Sequence, residues 1–230
     1  MKVLYIGHYK EDSGWSRAAI NNILALDAAG VNVVCRDIKL TDKPFTLPNR
    51  ILELEKKDVV GVSHCIQNVL PHHFMSVGCF KKNVAYHFSE SITTTKNLWH
   101  LHLEMADEVW VTNTELGNHV RRVLSNPVKV IHQAVDTSVY SKKYKRIDFG
   151  LSEHDFKFYF IGDLNDRKNL KSILRCYYRS FNANDSTLLI IKVKKHGVTD
   201  QGLESYCRKL CDDIQKEMRI YADLNKYAAV

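Results

Sequence analysis

Short apolar strands alternating with amphipathic helices along 230 residues predict an α/β protein, a doubly wound and mostly parallel sheet covered by helices on both faces. Three observations carry that expectation. The chain opens on a buried-strand pattern that runs into a glycine turn and a helix, "KVLYIGHY" then "DSGWSRAAINNILALDAAG". Strand and helix periods then alternate as far as "VKVIH". After a polar interval the whole pattern restarts at "FKFYFIG".

Taken in order, Asp12 or Ser13 can cap the first helix, whose apolar positions Ala19, Ile20, Ile23, Leu24 and Leu26 fall on one side, and Gly30 ends it. "VNVVCRDI", Val31 to Ile38, is the second strand and completes a β-α-β unit. "DVVGVS" and "NVAYHF" read as further strands, "TKNLWHLHLEMA" as a helix, "DEVWVT" as a strand, "ELGNHVRRVL" as a helix and "VKVIH" as a strand. The polar, basic stretch from Ser141 to Asp155 reads as a linker. It divides the chain into a first domain over 1–145, a linker over 146–155 and a second domain over 156–230. That second domain reads as the strand "FKFYFIG", the helix "NLKSILRCYYRSF", the strand "TLLIIKV" and a long helix from about Gln201. No repeat of short period and no low-complexity tract occurs.

With 45% hydrophobic and 26% charged residues the composition is that of a soluble globular protein. Met1 to Ile6 hold too short an apolar run for a secretory signal or a membrane span, so the expectation is a cytoplasmic protein with no transmembrane segment. Six cysteines without framework spacing read as reduced core thiols. Cys207 and Cys211, which with His196 could be imagined as metal ligands, read as core packing, because Leu203, Cys207, Leu210 and Ile214 form one apolar stripe and no fourth ligand is evident. A formal charge of +7 favours anionic partners without choosing among nucleotides, nucleic acids and acidic membranes. Nucleic acid is disfavoured, because the Lys and Arg residues are spread along the chain and no recognised nucleic-acid module is present.

Several chemistries lack their motif. The first strand is not followed by G-x-G-x-x-G, and neither a G-x-x-x-x-G-K-[ST] loop nor a G-x-S-x-G elbow occurs. A D-x-D pair, the usual metal anchor of sugar-nucleotide enzymes, is also absent, which favours metal-independent chemistry.

Four segments in order resemble glycosyltransferase family 4. "DEVWVTNTELGNHVRRVLSNPVKVIHQAVDTSVY" is similar to the family's "D-x-V-W-V-x-S", helix, "P-V-x-V-I-x-x-G-V-D" stretch. "FYFIGDLNDRKNLKSILRCYYRSF" is similar to the opening of its second domain, where Arg-Lys-Asn or Arg-Lys-Gly starts a helix. "SGWSRAAINNILALDAAGVNVVCRDI" resembles its first glycine loop and helix, and "VAYHFSES" its "Y-x-x-x-E-S/T" segment. The resemblance covers about residues 1 to 195. Three positions depart from the pattern: Ala134 stands for glycine, Asn113 for serine, and Asp163 follows Gly162 where arginine is common. The family's second domain also continues to a segment with two glutamates that grip the donor, and Val230 precedes any such segment, so a truncated member is expected.

The resemblance implies a GT-B architecture of two Rossmann-like domains and retaining, metal-independent transfer from a nucleotide-sugar such as a UDP- or GDP-sugar. No cofactor is implied beyond that substrate. Gly162, Arg167, Lys168 and Asn169 would bind the donor diphosphate, with the helix amides behind them. The competing reading of the same turn is a solvated basic loop, against which its strand-turn-helix context favours an anion site. Glu90 and His87, just past a strand's carboxyl end, are the catalytic candidates, and His64 shares their topological argument. Gly14, Trp15, Ser16 and Arg17 would line the acceptor side, or else form an ordinary capped helix start with a packed tryptophan. The implied partners are a nucleotide-sugar and a glycan, lipid or protein acceptor. A second chain completing the donor domain is a further implied partner. The competing reading is a catalytically inactive, truncated binding or assembly module.

Overall fold

A computed structural model describes residues 1–40, 45–75, 78–89, 98–145, 152–195 and 197–227, with backbone alone beyond residue 219. The chain divides into two compact units, Met1–Lys143 and Tyr144–Val230.

The first unit alternates strands and helices: β1 (Lys2–Gly7), α1 (Gly14–Ala28), β2 (Asn32–Asp37), α2 (Asn49–Lys56), β3 (His64–Asn68), β4 (Lys82–His87), α3 (Trp99–Leu103), β5 (Glu108–Val111), α4 (Thr114–Val123), β6 (Val128–Val130) and α5 (Thr137–Ser141). Its six strands run parallel in the order β2-β1-β3-β4-β5-β6. Successive side chains of a strand point to opposite faces, and both faces here are buried. Val3, Tyr5, Val33, Cys35, Ile66, Val84 and Tyr86 pack with Ile20, Ile23 and Ile51 on one side. Leu4, Ile6, Val34, Cys65, Val109 and Val111 pack with Leu103, Leu116 and Val120 on the other. This is the doubly wound, Rossmann-like α/β architecture that the continuous apolar runs predict.

Local chemistry sets the helix ends. Ser13, rather than Asp12, caps α1 by accepting from the Ser16 amide at 3.2 Å. Asn113, the residue found in place of serine, caps α4 by accepting from the Leu116 amide at 2.8 Å, so this departure preserves the cap. Gly30 adopts φ 79° after α1, a left-handed exit suited to glycine.

Two expectations need correction. "DVVGVS" is a turn, and β3 begins after it at His64: Asp58 accepts from the Val60 amide at 2.8 Å and from Lys2 Nζ at 3.0 Å, while Gly61 takes φ 74°. The helix expected over "TKNLWHLHLEMA" is seen only as Trp99–Leu103, part of that stretch lying outside the described residues. The helix α2 is an addition to the expected elements.

The second unit contains β7 (Phe156–Asp163), α6 (Leu170–Ser180), β8 (Thr187–Lys194) and α7 (Asp200–Tyr227). The strands pair in parallel, Phe156 beside Thr187 through Asp163 beside Lys194. Among the described residues they form a two-stranded sheet. Phe160, Leu170, Leu174 and Ile214 are its buried core, backed by Leu189, Ile191 and Val193. Arg175 on α6 and Glu217 on α7 join through two hydrogen bonds of 3.0 Å each. Among the described residues no helix is long and apolar enough to cross a membrane.

Candidate functional site

In the first sheet the chain leaves β1 in one direction to β2 and in the other to β3, so the topological switch lies between β1 and β3. Open α/β sheets take their ligands beyond the strand carboxyl ends at that point. His8, the residue after β1, is buried there and bridges the neighbouring loops. Its Nδ1 lies 2.6 Å from the Ile38 carbonyl, which can only accept, and its Nε2 receives the Leu70 amide at 3.1 Å. These two contacts define the Nδ1–H tautomer. Asp37, at the end of β2, accepts the Tyr9 and Lys10 amides on Oδ1 at 2.8 and 3.0 Å, and its buried Oδ2 has no partner among the described residues. Gln67 copies a backbone pairing with Met75, donating to its carbonyl at 2.7 Å and accepting its amide at 2.9 Å.

An aromatic wall continues along this edge. Trp15 lies 5.2 Å from Phe88 and 6.2 Å, edge-on, from His8, which itself meets His73 at 5.6 Å. His87 ends β4 with 0% exposure and packs edge-to-face on Trp99 at 5.8 Å. Neither ring nitrogen of His87 has a hydrogen-bond partner among the described residues. Burial lowers its pKa to about 4, so the ring is neutral at pH 7. Glu90, its companion candidate, lies outside the described residues.

The other candidates of the first unit separate. Gly14 is exposed, and a Cβ there would meet nothing within 4 Å. Arg17 is exposed beside it on the first turn of α1. Ser16 does not line an open surface: it is 0% exposed and its hydroxyl donates to the Tyr9 carbonyl at 2.8 Å, holding the loop after β1. His64 begins β3 instead of following a strand, so it sits at the amino edge of the sheet, with Nδ1 2.8 Å from the Ser63 hydroxyl. The topological argument for His64 therefore fails.

In the second unit β7 ends at Gly162 and Asp163, and a short 3-10 turn over Asp166–Lys168 leads to Asn169. Asn165 shapes this turn by accepting the Lys168 amide on its side chain at 3.1 Å. Asn169 takes the left-handed conformation, φ 53°, and no side chain caps α6 behind it. Arg167, Lys168 and Asn169 are all exposed. The Lys168 stem passes over Gly162, where a Cβ would stand 3.5 Å from its Cγ. A cavity of about 140 Å³ borders the turn, lined by Leu164, Asn165, Asp166, Asn169, Leu170 and Lys171 together with α7. The turn thus brings all four expected donor-side residues to one helix start, with Asp163 and Asp166 beside the cations.

Among the described residues no three His, Cys, Asp or Glu side chains are grouped to hold a metal ion. Cys207 and Cys211 line a groove between β8 and α7, and His196 lies outside the described residues. No protein-family model matches the chain, and no curated protein shows significant similarity to it. His8 and Asp37 are absent from the sequence-derived candidates. The rule that selected His87, a polar residue immediately beyond a buried strand, would have found His8.

Proposed function

We propose that this chain belongs to the nucleotide-sugar-dependent glycosyltransferases and moves a sugar from a UDP- or GDP-linked donor to an acceptor hydroxyl, with retention and without a metal. The observation that carries the reading is the turn after β7. There Arg167, Lys168 and the uncapped start of α6 present positive charge and amide donors at a strand's carboxyl end. Leaving-group charge on the diphosphate is stabilised by such preorganised donors with no proton transfer. In the first unit, His87 and Glu90 address the acceptor hydroxyl, and Gly14, Trp15 and Arg17 lie along the same side. The acceptor is a glycan, lipid or protein hydroxyl, and the protein works in the cytoplasm.

One observation favours a second reading, nucleotide binding without transfer. Among the described residues beyond β8, Glu204 and Glu217 are each engaged by an arginine, Arg208 at 2.7 Å and Arg175 at 3.0 Å, on helix surfaces. Neither is set to grip a sugar.

Thermal melting with UDP, GDP and their sugar conjugates tests both. A rise in melting temperature that disappears in Lys168→Ala supports the donor site, and no response to any nucleotide diphosphate overturns it. Nucleotide release from a nucleotide-sugar separates transfer from binding alone.

A further inference from the structure

We propose that a second copy of this chain pairs antiparallel with β7, extending the two-stranded sheet of the second unit through a two-fold axis at Phe160. The backbone of β7 sets the register. The Phe156 amide donates to Ser186 at 2.8 Å and the Leu164 amide to Lys194 at 2.9 Å, both towards β8. In a parallel ladder alternate residues face the same neighbour, so the even-numbered residues of β7 face β8. Lys157, Tyr159, Ile161 and Asp163 therefore direct their amides and carbonyls to the open edge, which has no partner strand among the described residues.

Antiparallel self-pairing centred on Phe160 sets all four outward residues opposite one another. Lys157 meets Asp163 of the other copy, Tyr159 meets Ile161, and the reciprocal pairs repeat across the axis. Each is the pairing in which two residues exchange both backbone bonds. Lys157 Nζ donates within its own chain to the Ser152 and Asp155 carbonyls at 2.6 and 3.1 Å, and turning it to the opposed Asp163 complements the charges twice, since directly opposite unlike pairs favour the register. On the even side Phe156 falls opposite Leu164, and Phe158 opposite Gly162, whose lack of a side chain leaves room for the ring. A shift of the axis to Tyr159 or Ile161 leaves one outward residue beyond the strand end and separates Lys157 from Asp163.

Exposure agrees with a covered surface. Tyr159 and Ile161 on one face of β7 are 59% and 69% exposed and Phe156 on the other is 64% exposed, apolar side chains on a strand with an open edge, of the kind that pairs with another chain unless blunted. β8 carries Lys192 and Lys194 and no acidic residue, so self-pairing of that strand would gain no opposed charges. The same-patch contact is isologous and closes at two copies, leaving the lysine-bearing β8 strands outermost.

Sedimentation over a dilution series and hydrogen exchange of the whole chain test this pairing. The expected result is a species of twice the 26.6 kDa chain mass, with amides 157, 159, 161 and 163 exchanging more slowly as concentration rises. Lys157→Glu and Asp163→Lys singly set like charges opposite each other and return the monomer, and the double exchange restores the dimer. Circular dichroism follows folding in each variant, and recovery in the double variant guards against misfolding of the singles. A monomer at every concentration overturns the proposal. A dimer indifferent to both charge reversals also overturns it, because the contact then lies elsewhere. Protection of the four amides at all dilutions overturns it too, because the edge is then covered from within the chain.

Discussion

The Asn22 side chain accepts a hydrogen bond of 2.9 Å from the Ala134 amide, joining residues 112 positions apart. Asn22 also donates to the Tyr5 hydroxyl at 3.3 Å, and that hydroxyl donates to Asn68 Oδ1 at 3.1 Å. Asn68 in turn donates to the Tyr86 carbonyl at 3.0 Å, and the Tyr86 hydroxyl to the Ile131 carbonyl at 2.8 Å. One buried chain of polar groups thus fixes the exit from β6 to β1, β3 and β4. Replacing Asn22 by Ala leaves the Ala134 amide without its acceptor and breaks the chain at its start. The expected loss is about 1–3 kcal/mol, read as a lower urea midpoint with an unchanged slope.

Glu108 is the buried charge of the opposite edge. Burial alone would raise its pKa, but hydrogen bonds from Lys82, from Trp110 Nε1 at 2.5 Å and from Lys129 at 3.0 Å hold it down to about 2. A depressed folded pKa means that the stabilisation is fully present above the unfolded carboxylate range near pH 4.5 and is lost as pH falls towards 2. Glu108→Gln is expected to cost about 1–3 kcal/mol at pH 7 and to have little further effect near pH 2. Urea titrations at the two pH values measure the difference.

His87 gives the acid limb its second component. Its ring titrates near the ordinary histidine range when unfolded and only at about 4 when buried, so the unfolded chain binds the proton first as pH drops. Stability falls from about pH 6.5 down to about pH 4, by up to about 3 kcal/mol. His87→Leu should flatten this part of the stability profile. A profile unchanged by the substitution would show that the ring is solvated in the folded protein.

Two glycines at strand ends differ in what they tolerate. A Cβ on Gly7 would stand 3.2 Å from Tyr5 Cε1 and 3.3 Å from Ala19 Cβ, against the packed α1, and Gly7→Ala is expected to cost about 1–3 kcal/mol. At Gly162 the nearest atoms, 3.5 and 3.6 Å away, belong to the flexible Lys168 stem. Gly162→Ala should therefore change the melting temperature little, within about 0.5 kcal/mol, because the added Cβ only touches that stem at ordinary contact distance.

The strands of the first unit's centre, such as "VLYI" and "VVC", are legible because they are buried on both faces and read as unbroken apolar runs, while the half-exposed β7 and β8 are legible from their aromatic and β-branched runs. β3 was misplaced because two of its five residues, Gln67 and Asn68, are buried polar groups made tolerable by Met75, Tyr5 and Tyr86. Hydropathy cannot register a partner that only folding supplies. α2 escaped notice because just Ile51 and Leu54 of its eight residues are buried, too few to establish a helical period. Of the candidate site, the strand-turn-helix form around Arg167 and Lys168 and the position of His87 at a strand's carboxyl end are legible in the sequence. Asp37 is hidden because its role depends on the loop after β1, which reaches it only once the parallel register is set, whereas His8 is legible from its place directly after β1.

Among the described residues the sheet of β7 and β8 has no central member, so within one copy of the chain each strand is held on one side only, over a buried cluster of four apolar residues. Detaching either strand abolishes the whole sheet, whereas the first unit can fray at β6 and keep its interior strands. Sub-global opening of lowest free energy is thus confined to the carboxyl-terminal unit, and a protease present in trace amounts samples it first. Limited digestion should release a long-lived fragment ending close to Lys143, well before the six-stranded sheet yields.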